Sequence, residues 1–280
     1  MLKKGEKITK LKVSLDGDSL YVKTCGEEDF KEHLIFFHDI GEYHERYSDF
    51  IDYLYERNIS TTIIDLRGHG LSNGSRGLIP SVDSIFNDNK IIHEYLKSVF
   101  PEQRKIIAGH GVGALIALDF FVTYNEFDGL ALFNPSLKFN ETVRLKIDSV
   151  FSRIGLIDKI KINHLMNLDD LSDNVELVRN HKHDPLINRK ISLSTFKAIE
   201  ELIEKSKSNI YYVNKPTYIA VGEDNHLLDI EALSLFTMSV EKKYLTNEIF
   251  KSIGHEIFNE LDRHECFNSM YNWIEKNFRR

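Results

Sequence analysis

The chain has 280 residues, 42% of them hydrophobic and 28% charged, with a formal charge of −7. That length suits one large α/β domain carrying an insertion, and the composition excludes a disordered or fibrous chain. The acidic balance argues against nucleic acid as a partner, because that affinity rests on lysine and arginine displacing counterions. Cys25 and Cys266 stand far apart with no metal or disulfide-framework spacing. No signal-peptide run and no apolar stretch of membrane-spanning length occurs, which predicts a cytoplasmic protein that touches membranes only peripherally.

"LKVSLDGDSLYVKT" at 11–24 alternates apolar and polar residues around Asp16-Gly17-Asp18 and predicts a β-hairpin. Short apolar runs then alternate with helical patterns. The predicted strands are Leu34 to His38, Thr62 to Asp65, Lys105 to Ala108, Leu130 to Phe133, Thr217 to Val221 and Asn247 to Phe250. The predicted helices are Tyr47 to Arg57, Ser84 to Val99, Val112 to Thr123, Ile230 to Ser239 and His264 to Asn277. Such alternation implies a mostly parallel central sheet with helices on both faces.

Between Pro135 and Pro216 the rhythm becomes helical without strands, so residues 137–210 read as a helical cap inserted into a core made of 1–136 and 211–280. The cap would lie over the carboxyl edge of the sheet, where open α/β proteins bind ligands. Within it, "VRLKIDSVFSRIGLIDKIKI" sets Leu145, Val150, Phe151, Ile154 and Ile157 beside Arg144, Lys146, Arg153, Lys159 and Lys161. That pattern fits a cap helix with a solvated basic face or an interfacial helix that meets lipid.

The stretch with the most chemical meaning is "IIAGHGVGALIAL" at 106–118: a buried strand, a glycine-rich turn, then a helix. A G-x-S-x-G turn of this form presents a nucleophilic serine, with small flanking residues because strand and helix approach too closely for a Cβ. Gly109 and Gly113 supply the flanks, yet the serine position is Gly111. The same turn satisfies a loose G-x-G-x-x-A at Gly109, Gly111 and Ala114, which could seat a pyrophosphate at a helix N-terminus. Against that, the next strand ends at Asn134 and not at a ribose-binding acid, and the motif does not open the fold. Metal sites at His181-Lys182-His183-Asp184 or at His255-Glu256 with His264 lack ligand spacing. No cofactor or metal is therefore expected.

The chain resembles the α/β-hydrolase superfamily, in particular the monoacylglycerol lipase and lysophospholipase (serine aminopeptidase-like) group. "HDIGEYHERY" at 38–47 is similar to that group's H-G-x-G-E-H-x-x-R-Y loop, and "DLRGHGLSNGSRG" at 65–77 matches its D-x-R-G-H-G-x-S-x-G-x-R-G segment. "FDGLALFNPS" at 127–136, "HDPLI" at 183–187 and "GHEIFNE" at 254–260 match further pieces in order. The resemblance implies an α/β-hydrolase fold with a degenerate triad. His255 is the retained histidine, Gly111 stands at the nucleophile position, and Asn225 stands at the acid position with Asp224 one place early as a possible substitute. Oxyanion donors would be the N–H groups of Ile40 and Val112, and Glu42 and Arg46 in the overhanging loop could orient a polar head group or form a surface ion pair. His38 and His110 read as structural, bonding to backbone around the elbow.

Without a serine oxygen no acyl-enzyme can form, and losing the nucleophile typically lowers turnover by about a million-fold. Glycine also relieves the backbone strain of roughly 1 to 3 kcal/mol common at such elbows. The residues thus imply a catalytically impaired hydrolase fold that binds an acyl or other apolar small molecule. Two alternatives stand beside it: an active carboxylic-ester hydrolase in which His255 and Asp224 activate water, and a serine hydrolase inactivated by experiment. Ser to Gly and Asp to Asn would suit the latter, but His38-Asp39 in place of His-Gly is a further departure that inactivation does not need.

Overall fold

The computed structural model describes residues 5–13, 18–138, 160–163, 172 and 174–279. Strands β1 (Glu6–Lys12) and β2 (Ser19–Cys25) pair antiparallel with Lys12 opposite Ser19. This is the expected hairpin, whose turn lies outside the described residues. β3 (Glu32–Phe37), β4 (Ile59–Ile64), β5 (Arg104–His110), β6 (Gly129–Phe133), β9 (Thr217–Gly222) and β10 (Leu245–Phe250) complete an eight-stranded sheet in the order β1-β2-β4-β3-β5-β6-β9-β10. From β4 to β10 every pairing is parallel.

Successive strand residues point to opposite faces, so continuous apolar runs such as Leu34–Phe37 feed two cores. Ile35, Phe37, Ile107, Leu130 and Leu132 pack on one face with α2 (Val82–Leu96) and α3 (Val112–Tyr124). Leu34, Phe36, Ile106, Ala108, Phe133 and Tyr218 pack on the other with α1 (Ser48–Tyr55) and the C-terminal helix Arg263–Phe278. Cys25 and Cys266 are buried in the second core and not joined in a disulfide, and burial pushes the Cys266 thiol well up.

α3 is apolar on every side and buried from Val112 to Phe121, as expected of a helix wedged between the sheet and another layer. That layer is supplied by the segment expected to be helical without strands. It does carry α4 (Val175–His183) and α5 (Leu193–Asn209), and α5 packs on α3 through Phe196, Ile199 and Leu202. It also carries a two-stranded antiparallel ribbon, β7 (Lys161–Asn163) with β8 (Lys190–Ser192). Three-residue strands are too short to leave a period-two signature, which is why the expectation of no strands fails. Most of the basic amphipathic stretch at 143–162 lies outside the described residues. The last two helices to name are α6 (Ile230–Met238) and α7 (Arg263–Phe278). Among the described residues no helix is long and apolar enough to cross a membrane.

Candidate active site

The turn joining β5 to α3 places Gly111 at φ +56°, ψ −118°, a left-handed region that side chains other than glycine enter only with strain. Its neighbours are glycines for a packing reason. A Cβ on Gly109 would lie 2.2 Å from the Gly113 carbonyl oxygen, and one on Gly113 would lie 2.2 Å from the Phe37 carbonyl oxygen. The elbow geometry of a nucleophile turn is thus retained.

The space beside Gly111 is filled by Asp39. Its Oδ1 accepts hydrogen bonds from the N–H groups of Ile40 and Val112, both at 2.7 Å, and its Oδ2 lies 2.9 Å from Nε2 of His255. The two backbone donors expected to hold a substrate oxygen are therefore committed to the protein's own carboxylate. A Cβ on Gly111 would fall 2.0 to 2.2 Å from the Asp39 carboxyl atoms, so a side chain at 111 and this carboxylate exclude each other. Burial alone would raise the Asp39 carboxyl, but the hydrogen bond and charge of His255, with the charge of His110, hold it below the ordinary carboxylate range. As an ionised acceptor, Asp39 requires the shared proton to sit on His255 Nε2.

His110 is a buried cation by hydrogen-bond accounting. Its Nε2 lies 2.9 Å from the carbonyl oxygen of His255, which can only accept. Its Nδ1 lies 3.0 Å from the Tyr47 hydroxyl, whose proton is given to Glu42. Both ring nitrogens must therefore donate. Burial lowers its pKa, but Glu42 and the charges of Asp39 and Glu256 outweigh that and push it up to about 9. Glu42, which burial would raise, is in turn held well below its ordinary range by His110, Arg46 and Tyr47.

Arg46 donates to Glu256 at 2.6 Å and reaches Glu42 at 3.5 Å. Glu42 and Arg46 thus face inward, with side chains 5% and 12% exposed, and neither the head-group role nor the surface ion pair describes them. A charged pair in a loop ordinarily defaults to solvent; here a buried imidazolium gives the carboxylate a reason to turn in. His38 is structural as expected: Nδ1 donates to the Asp39 carbonyl at 2.6 Å and Nε2 accepts from the Leu66 N–H at 2.9 Å.

The acid turn follows β9. Asn225 is buried and its Oδ1 accepts from the Leu227 N–H, closing its own turn. Asp224 is exposed and its backbone N–H donates to the Ile253 carbonyl. Neither is bonded to His255, whose buried Nδ1 has no hydrogen-bond partner among the described residues. The expectation of Asp224 as substitute acid is thus not met, because its side chain points to solvent and not to the imidazole. Asn134, at φ +43°, holds the histidine loop instead: its Nδ2 donates to the His255 carbonyl at 2.8 Å and its Oδ1 accepts from the Gly222 N–H.

Two other chemistries can be judged from these contacts. A pyrophosphate at the N-terminus of α3 would have to displace the Asp39 carboxylate from Val112, so the dinucleotide reading fails. Asp39, His110 and His255 bring potential ligand atoms within 4.8 Å of one another, but the His110 nitrogens both carry engaged protons and offer no lone pair to a cation. The residues at His181 to Asp184 are drawn apart from that cluster, with Asp184 accepting from the Tyr43 hydroxyl at 2.7 Å.

The residue missed in the sequence is Asp39. Its signal was a paired departure: the small residue and the polar one have changed places between positions 39 and 111 relative to the resembled motifs.

Comparison with known proteins agrees with this architecture. Residues 28–262 match the family described as serine aminopeptidase, S33. The chain is 24% identical over 266 residues to a monoglyceride lipase homolog of monkeypox virus, covering 93% of this chain and 96% of that one. It is 24% identical over 249 residues to an uncharacterized abhydrolase domain-containing protein of Dictyostelium discoideum, covering 85% of this chain but only 26% of that longer protein. Among solved structures, a soluble variant of monoglyceride lipase from Saccharomyces cerevisiae in complex with a substrate analog superposes with a TM-score of 0.83 at 17% identity, covering 98% of this chain and 96% of that one.

Proposed function

The chain belongs to the serine aminopeptidase S33 family of α/β-hydrolase-fold proteins, and from that premise we propose that it has lost serine-ester hydrolysis and binds an acyl or other apolar small molecule. The observation that carries the reading is the Asp39 carboxylate seated on Ile40 and Val112. It replaces the missing serine in space and also blocks the donors a substrate carbonyl needs, so transition-state stabilisation is lost together with the nucleophile. The same occupancy argues against water activation by His255, since a carbonyl has no donors left to hold it.

Support for a small-molecule ligand with an apolar part comes from a cavity of about 410 Å³ whose lining joins Leu137, Ile210, Ala232 and Phe236 to the charged Lys138, Lys207, Asp229 and Glu231, a size typical of small-molecule pockets. Its walls come mostly from the 137–210 segment, which we read as a cap, and from α6. Hydrolysis of short aryl esters and monoacylglycerols, fluorophosphonate labelling, and calorimetric binding of a monoacylglycerol test the proposal together. The expected result is binding without turnover or label; turnover that disappears in His255→Ala would overturn it.

A further inference from the structure

We propose that a second cavity, at the amino end of β5 and remote from the elbow, binds a small organic dication of the aliphatic diamine class through the carboxylates and the Gln103 amide that line it.

This cavity, of about 580 Å³, lies where the start of β1, the end of β2 and the turn from α2 into β5 meet, and its size is typical of small-molecule pockets. Gln103 directly precedes β5 and Gly111 directly follows it, so cavity and elbow sit at opposite ends of one strand. It shares no lining residue with the cavity beside α6.

Three observations set the chemistry of the occupant. First, Gln103 lines the cavity, is 5% exposed, and donates from Nε2 to the Glu27 carbonyl at 2.7 Å. That bond fixes which way the amide points and leaves Oε1 as a buried acceptor with no partner among the described residues. Such an orphan is costly, and a donor brought by a ligand satisfies it. Second, the described lining sets Glu27, Glu28 and Glu102 against a single cation, Lys7. Of the neighbouring cations, Arg104 pairs with the buried Glu32, and Lys105 donates to the Pro101 carbonyl at 3.4 Å. His33, packed edge-on against Phe100, is neutral because burial pushes its pKa down to about 3. Third, Tyr95 and Phe100 both line the cavity, and aromatic rings attract organic ammonium groups.

A metal ion fits these groups poorly. It needs ligand atoms that converge on one point, whereas among the described residues only Asp39, His110 and His255 bring three acidic or imidazole ligand atoms within 4.8 Å of one another. Carboxylates that do not converge suit a cation whose charges are separated. A diamine supplies that, with one ammonium donating to Gln103 Oε1 and the other paired with the exposed Glu28 or Glu102.

The full chain is titrated with 1,4-diaminobutane by calorimetry at physiological salt, beside 1,4-butanediol, which has the same chain but no charge. Gln103→Met and the double variant Glu28→Gln with Glu102→Gln are titrated likewise, their folding checked by circular dichroism; the double variant changes exposed side chains alone. The expected result is one diamine bound per chain and no diol. Gln103→Met should weaken binding about 10-fold through a lost charged hydrogen bond, and the double variant about 5-fold through lost exposed pairs. No saturable diamine binding, diol binding of equal strength, or unchanged affinity in the double variant would overturn the proposal. None of these outcomes touches the reading of lost ester hydrolysis, which ester turnover by the unmodified chain would remove whatever the diamine does.

Discussion

The elbow and the acid turn each carry a residue other than the one the resembled motifs imply, Gly111 and Asn225, and the protein treats the two positions differently. At the elbow, Asp39 has moved into the space, satisfying two backbone donors and the imidazole. At the acid turn, Asn225 bonds within its own loop and His255 Nδ1 has no partner among the described residues. The difference follows from what each loss leaves behind. An empty elbow exposes two converging N–H groups at a helix N-terminus, a site that attracts an anion. An empty acid position leaves one nitrogen of a ring that can choose its tautomer, a smaller deficit.

The comparison is tested most strongly by reversing both losses. Asp39→Gly with Gly111→Ser and Asn225→Asp should create esterase activity on monoacylglycerols, read by fatty-acid release. The same chain without the Asn225 change should be slower by about ten-thousand-fold, the effect of a carboxamide at the acid position. No activity in the triple variant would mean that the pocket has diverged beyond the triad.

Next in size is removal of the plug alone. Asp39→Ala leaves the buried His110 cation short of a counter-charge and two backbone donors empty, a change expected to destabilise by about 3 to 5 kcal/mol; a urea melt measures it. Gly111→Ser alone should destabilise by about 1 to 3 kcal/mol through overpacking against Asp39, and Asp39→Gly in the same chain should recover part of that loss. Additive effects of the two would show that 39 and 111 do not compete for one space.

The smallest expected effect is a pH dependence. His110 has a folded pKa raised to about 9 from an ordinary 6.5, so its contribution is complete below 6.5 and is lost as pH rises through 9. Asp39, with a lowered pKa, contributes the opposite limb, lost only as pH falls through its folded value. Thermal melts across pH 6 to 10 should show the alkaline decline in the parent and a flatter limb in His110→Gln.

Much of the architecture was legible because its signals are local. Buried runs such as Ile106 to Ala108 and the glycines at 109, 111 and 113 declare a strand, a close approach and an elbow through residue type alone. The β7–β8 ribbon was not legible, because Lys161–Asn163 and Lys190–Ser192 are too short to show alternation. The inward turn of Glu42 and Arg46 was hidden for another reason: it depends on a protonated His110 and on Glu256, more than two hundred positions along the chain from Arg46. Asp39 lay between these cases. Its oddness could be seen beside His38, but its destination required knowing that the loop after β3 and the start of α3 meet.

The two thiols bear on how the fold itself can be watched. Cys25 and Cys266 are buried, and the Cys266 sulfur is kept protonated by its apolar surroundings, so the soft nucleophiles that ordinarily intercept alkylating reagents are masked. Thiol reactivity then becomes a reporter of opening: silent while the core that holds both sulfurs is shut, and present once that core is breached.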